Sequence, residues 1–218
     1  MISVIKNEVE QPIAQIIFAH GAGANMEHVY MENFTHLLNA QQINVLRFNF
    51  PYMDKRAETG KRYPPDRMPK LLDCYQQVIK DYLATQANKK NRLPLFIGGK
   101  SMGSRVAATL SGDEQLVNDI AGVFCIGYPF HPAKKEDKLR LEPLQETLKP
   151  VLILQGDRDA LGSKAEIATY ALSKQCQCVF FEDGDHDLKP RVKSGFKLED
   201  HLLKASKILL EFVSEHSS

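Results

Sequence analysis

The sequence predicts an α/β fold, a mostly parallel central sheet with helices on both faces, in one domain spanning residues 1–218. Three observations carry the prediction. Short apolar runs recur at 13–19, 43–48, 95–99, 120–127, 151–155 and 176–181, with amphipathic stretches between them, the alternation expected of parallel strands and crossover helices. The run starting at Leu95 ends in Gly98-Gly99 and passes Ser101 into a helix-compatible segment, so a strand, a sharp turn and a helix follow one another. At 218 residues the chain can bury a core without disulfides or metal.

Taken in order, residues 2–5 read as a short edge strand and 13–19 as the first strand covered on both faces. Residues 27–40 place Val29, Phe34, Leu37 and Leu38 at helical spacing, which leads to the strand 43–48. An aromatic stretch, 49–53, follows at the carboxyl end of that strand, where open α/β sheets bind ligands, so Phe50 and Tyr52 are candidate pocket residues. Residues 54–67 set Lys55, Arg56, Lys61, Arg62 and Arg67 among Gly60, Pro64 and Pro65, and read as a long loop. A long helix over 68–87 carries Leu71, Tyr75, Val78, Ile79 and Tyr82 on one face. After Ser101 a helix runs to Leu110 and stops at Ser111-Gly112. The strand 120–127 leads into Tyr128-Pro129-Phe130-His131-Pro132, which offers His131 to a pocket. Residues 133–150 are strongly charged and too short for a lid domain, enough for a loop and a turn of helix. The strand 151–155, a helix over 163–174, the strand 176–181 and a helix over 198–213 complete the chain.

Composition excludes several functions. With 28 Lys and Arg against 27 Asp and Glu, a formal charge of +1, no overall field favours nucleic acid or an anionic membrane. The start Ile2-Ser3-Val4-Ile5-Lys6 lacks the parts of a secretory signal, and no apolar run reaches membrane-spanning length. A soluble cytoplasmic protein is expected. Cys74, Cys125, Cys176 and Cys178 form no C-x-x-C and read as free thiols, so neither a metal site nor a cofactor is expected.

The chemistry concentrates at Gly99-Lys100-Ser101-Met102-Gly103, which fits the G-x-S-x-G nucleophile elbow and makes Ser101 the candidate nucleophile. A serine hydroxyl needs a base within hydrogen-bond reach and a group to orient that base. An acid stands in the turn after the strand 151–155, as Asp157 or Asp159, and His186 stands in the Gly-containing loop after the last strand. Behind the first strand, His20-Gly21-Ala22-Gly23 lets backbone N–H groups converge on a developing negative charge, and it resembles the H-G-rich oxyanion loop of lipases and esterases. Ala22 and Met102 are the expected oxyanion donors, with His20 beside them as a pocket residue. Gly99-Lys100-Ser101 also contains the end of a phosphate-binding Walker loop, but Pro94 occupies the position where that loop needs Gly. Lys100 sits next to Ser101 on a sharp turn, badly placed to share its proton and better suited to a salt bridge under the turn. Arg47, Arg158 and the arginines of 54–67 are candidate partners for a substrate carboxylate.

The ordered set of His20-Gly21-Ala22-Gly23, Arg47-Phe48-Asn49-Phe50-Pro51-Tyr52, the Ser101 elbow, Gly127-Tyr128-Pro129 and Gly156-Asp157-Arg158-Asp159 resembles the α/β-hydrolase superfamily. Within it the chain is similar to small, lid-poor proteins described as dienelactone-hydrolase-like. The resemblance implies an α/β-hydrolase fold with no large cap domain. It also implies a Ser101-His186-Asp159 triad, since the family's G-x-x-D pattern selects Asp159 over Asp157. Dienelactone hydrolases proper use Cys where this chain has Ser101, which points away from dienelactone itself. The implied activity is hydrolysis of a small-molecule ester or thioester, with a non-catalytic scaffold and a peptidase or amidase as the alternatives.

Overall fold

The computed structural model describes residues 2–89 and 91–217. Seven strands form one sheet: β1 (Val4–Asn7), β2 (Ala14–Ala19), β3 (Ile43–Phe48), β4 (Leu95–Lys100), β5 (Gly122–Ile126), β6 (Val151–Gly156) and β7 (Cys176–Phe181). Their spatial order is β1-β3-β2-β4-β5-β6-β7. Every neighbouring pair is parallel except β1, which runs antiparallel to β3 with Val4 opposite Phe48. This is the mostly parallel sheet of an α/β-hydrolase fold.

Strands β2 to β6 are buried on both faces, and their alternating side chains feed two cores. Ile17, Ile97, Val123 and Ile153 point to the layer that holds α2 (Pro51–Thr59), α3 (Met68–Gln86) and α4 (Met102–Leu110). Ile16, Phe18, Phe96, Phe124 and Leu152 point to the layer of α1 (Val29–Asn39) and α7 (Leu198–Glu215). Between β5 and β6 stands only the single turn α5 (Glu142–Gln145), and no large cap domain occurs among the described residues. No helix among them is long and apolar enough to cross a membrane.

Two elements differ from expectation. The first half of 54–67 is not loop, because α2 occupies Pro51–Thr59. Pro51 sets the first helical turn and Gly60 ends it at φ 66, but only Tyr52 and Met53 are buried, so no apolar stripe announces the helix. The helix expected over 163–174 shrinks to α6 (Lys164–Ile167). Ser163 and Glu166 form a capping box that starts it, yet only Ile167 is buried, and nothing apolar carries the helix onward.

Beneath the carboxyl ends of β2 and β4, the fully buried Tyr75 of α3 ties the sheet to its helix layer. Its hydroxyl lies 2.6 and 2.8 Å from the carbonyl oxygens of Ile17 and Gly98, and accepts the Gly98 N–H at 2.9 Å. Tyr75→Phe removes the partner of buried backbone groups without opening a large cavity. It should lower the unfolding free energy by about 1–3 kcal/mol in urea denaturation with the m-value unchanged. An unmoved midpoint would mean that this hydroxyl does not hold the two strands.

Candidate active site

Ser101 alone makes the turn from β4 to α4, at φ 53 and ψ −113, a backbone conformation that strains a non-glycine residue. Its N–H donates to Ile126 O of β5 at 2.9 Å, and its carbonyl accepts from Ser104 Oγ at 2.6 Å. The flanking glycines are demanded by close packing. A Cβ on Gly99 would lie 2.3 Å from the carbonyl carbon of Gly103, and a Cβ on Gly103 would lie 2.6 Å from Ala19 O. Backbone therefore packs on backbone around the serine, and the G-x-S-x-G spacing follows from that contact.

The loop after β7 brings His186 to this turn. His186 Nε2 is 2.8 Å from Ser101 Oγ, and His186 Nδ1 is 2.8 Å from Asp159 Oδ2. Asp159 is 1 % exposed and accepts two further hydrogen bonds, from Gln155 Nε2 at 2.8 Å and from the Leu161 N–H at 2.8 Å. A carboxylate oxygen accepts hydrogen bonds and does not donate them. The proton of His186 therefore sits on Nδ1, which leaves the Nε2 lone pair facing the Ser101 hydroxyl. Asp157, the other acid of the turn, makes no hydrogen bond to His186. The His loop is seated on Gly127 (φ 59), where a Cβ would stand 2.4 Å from His186 O.

A cavity of about 340 Å³ opens beside Ser101. Gly21 to Ala24, His28, Tyr30, Met31 and Lys100 form its walls together with His186 and Asp187. The Ala22 N–H makes no hydrogen bond to another described residue, nor does the N–H of Met102, the first residue of α4. Met102 follows Ser101 without lining this cavity.

The four expected pocket residues lie elsewhere. Fully buried His20 donates from Nδ1 to Gly21 O at 2.7 Å and accepts the Phe50 N–H on Nε2 at 3.0 Å. Tyr52, 2 % exposed, donates to Ala22 O at 3.1 Å, and the ring of buried Phe50 meets His20 edge-on. These three are props beneath the Gly21–Gly23 turn, because His20 and Tyr52 donate to its carbonyls and Phe50 holds His20 in place. His131 is 1 % exposed, donates to Pro132 O at 3.0 Å and stands 3.2 Å from Glu166, away from Ser101. Arg47 and Arg158 are likewise spent on the protein. Arg47 donates to Met26 O and Asn7, and Arg158 to the carbonyls of Asp183 and Lys189.

Some residues of the site were not anticipated. Gln155 orients Asp159 and is the one polar residue closing Val151-Leu152-Ile153-Leu154, a signal available in the sequence. Tyr30 and Met31 escape the helical spacing that groups Val29 with Phe34 and Leu38, and His28 lies ahead of α1. Val29 is 61 % exposed, and Tyr30 and Met31 turn inward instead.

The parallel sheet and a Ser, His and Asp meeting at the carboxyl ends of its strands define a class, the hydrolases of the α/β fold. The family model of the alpha/beta hydrolase domain matches residues 12–214, and the chain belongs to that family. Among solved structures it is similar to a dienelactone hydrolase from Anabaena variabilis, with a TM-score of 0.71 at 14% identity, covering 100% of this chain and 93% of that one. Est1E from Butyrivibrio proteoclasticus gives a TM-score of 0.66 at 18% identity over 99% of this chain and 94% of the other. An α/β serine hydrolase without a lid from Xanthomonas campestris gives 0.63 at 19% identity over 95% and 87%. At these identities the likeness is one of fold.

Burial lowers the pKa of His20 from 6.5 to about 4, so the neutral ring that its two hydrogen bonds require is the form present at neutral pH. Above pH 6.5 native and unfolded chains both carry His20 neutral. As pH falls from there toward 4, the unfolded chain takes up a proton that the native chain refuses, and stability declines by about 3 kcal/mol across the window. His20→Gln should destabilise the protein at pH 7, and its deficit against wild type should narrow steadily as urea midpoints are measured from pH 7 down to 4.5. A deficit that stays constant over that range would contradict the assignment.

Proposed function

We propose that this chain is a serine hydrolase of carboxylic ester or thioester bonds that works through an acyl-enzyme. The observation that carries the proposal is the unbroken chain from Ser101 Oγ to His186 Nε2 and from His186 Nδ1 to Asp159, at 2.8 Å in both links. His186 takes the Ser101 proton as Oγ bonds to the substrate carbonyl carbon, and Asp159 stabilises the imidazolium that forms. The negative charge that develops on the carbonyl oxygen is received by the N–H groups of Ala22 and Met102, with the positive end of α4 behind the second. Collapse of the tetrahedral intermediate breaks the C–O or C–S bond, and His186 returns the proton to the departing oxygen or sulfur. Water then repeats the sequence on the acyl-Ser101 bond and restores the free hydroxyl.

A substrate of modest size and no strong charge fits this reading. The cavity is built from glycine, alanine, Tyr30 and Met31, and the one lysine in its wall is paired with Asp187. No large cap stands over it, so small esters enter from solvent directly. The four free thiols agree with a reducing, cytoplasmic setting.

Hydrolysis of p-nitrophenyl esters of short acids tests the proposal. Ser101→Ala and His186→Ala should each lose on the order of 10⁶-fold in kcat, and Asp159→Asn about 10⁴-fold, while Asp157→Asn stays within a few-fold of wild type. Full activity in Ser101→Ala would overturn the proposal.

A further inference from the structure

Lys100 and Asp187 flank the two reacting side chains in sequence, one just before Ser101 and the other just after His186. Their contact joins the end of β4 to a loop far away in the chain. Lys100 Nζ lies 2.5 Å from Asp187 Oδ1 and donates to the main-chain carbonyl of His186 at 3.3 Å. The ammonium also stands over the Tyr30 ring, 5.4 Å from its centroid, and the Lys100 side chain is only 12% exposed. A carboxylate, a carbonyl and a ring face thus surround the charge. It is consumed in the wall of the cavity and is not held out to a substrate anion.

We propose that Lys100 and Asp187 are a positioning pair that clamps the His loop to the nucleophile strand and keeps His186 Nε2 at bonding distance from Ser101. The inference rests on the assignment of Ser101 and His186 as nucleophile and base. Gly127 supports the main chain of His186 on one side, and Lys100 grips the same carbonyl from the β4 side. The pair also balances charge around the base. Asp159 faces His186 from the turn after β6, Lys100 from the end of β4, Asp185 and Asp187 belong to its own loop, and His28 ahead of α1 faces Asp187. Deleting Lys100 leaves the Asp187 carboxylate uncompensated beside the imidazole, which favours the protonated ring. Deleting Asp187 leaves the ammonium, which disfavours it.

The two single variants therefore act in opposite directions on the base, a pattern that loss of packing does not produce. The test uses the full chain as wild type, Lys100→Met, Lys100→Arg, Asp187→Asn and the double variant Lys100→Met/Asp187→Asn. Kinetics on a neutral p-nitrophenyl ester from pH 5 to 9 are combined with titration of His186 by NMR of ¹⁵N-histidine-labelled protein. Lys100→Met should lose at least tenfold in kcat with KM within twofold, and its His186 titration should move to higher pH. Asp187→Asn should move that titration to lower pH, the double variant should bring it back toward wild type, and Lys100→Arg should recover part of the rate. Wild-type kcat and an unmoved titration in Lys100→Met, or equal shifts of one sign in both single variants, would overturn the pair. If the opposed shifts occur in a protein that hydrolyses no ester, the clamp of the His186 loop on β4 stands and the ester-hydrolase reading falls.

Discussion

The turn at Ser101 is the constraint on which the rest of the site depends. Holding a serine at φ 53 costs about 1–3 kcal/mol, and such a conformation persists only where its surroundings over-determine it. Here they do. The Ser101 N–H is fixed to β5, its carbonyl is capped by Ser104, and the glycines on either side let α4 approach β4 and β2 at backbone contact. The outcome is a hydroxyl raised above the strand ends with the N-terminus of α4 behind it, which is the geometry an attacking oxygen needs.

Around that turn, each contributing loop is fastened by polar contacts to the rest of the fold. His20 and Tyr52 donate to carbonyls of the Gly21–Gly23 turn, and Phe50 holds His20 in place. Gln155 and the Leu161 N–H fix Asp159. Gly127 and Lys100 hold the His186 loop from two sides. Buried polar groups are costly unless they are paired, and here each finds a partner. They fix the loops that bring Ser101, His186 and Asp159 together.

The sequence disclosed the strands and the order of Ser101, an acid and His186 because both are local signals. A parallel strand buried on two faces reads as a continuous apolar run, and the elbow glycines lie within two residues of the serine. The choice between Asp159 and Asp157 was not local, since it turns on which carboxylate meets a histidine from a different loop. The supporting role of His20 stayed hidden for the same reason, as its partner is the N–H of Phe50, thirty residues on. α2 escaped notice because only Tyr52 and Met53 are buried and a helix so polar leaves no stripe. In α1, Phe34 and Leu38 are buried as their spacing predicts, but Val29 is exposed and Tyr30 and Met31 of the cavity wall turn inward in its place.

The central claim is that Ser101 is a nucleophile activated by His186. The most direct measurement is reaction of the folded protein with a fluorophosphonate, followed by peptide mapping of the adduct. The account predicts one phosphonate per chain, on Ser101, and its loss in His186→Ala. An unlabelled wild-type protein, or an adduct that forms equally well without His186, would contradict it.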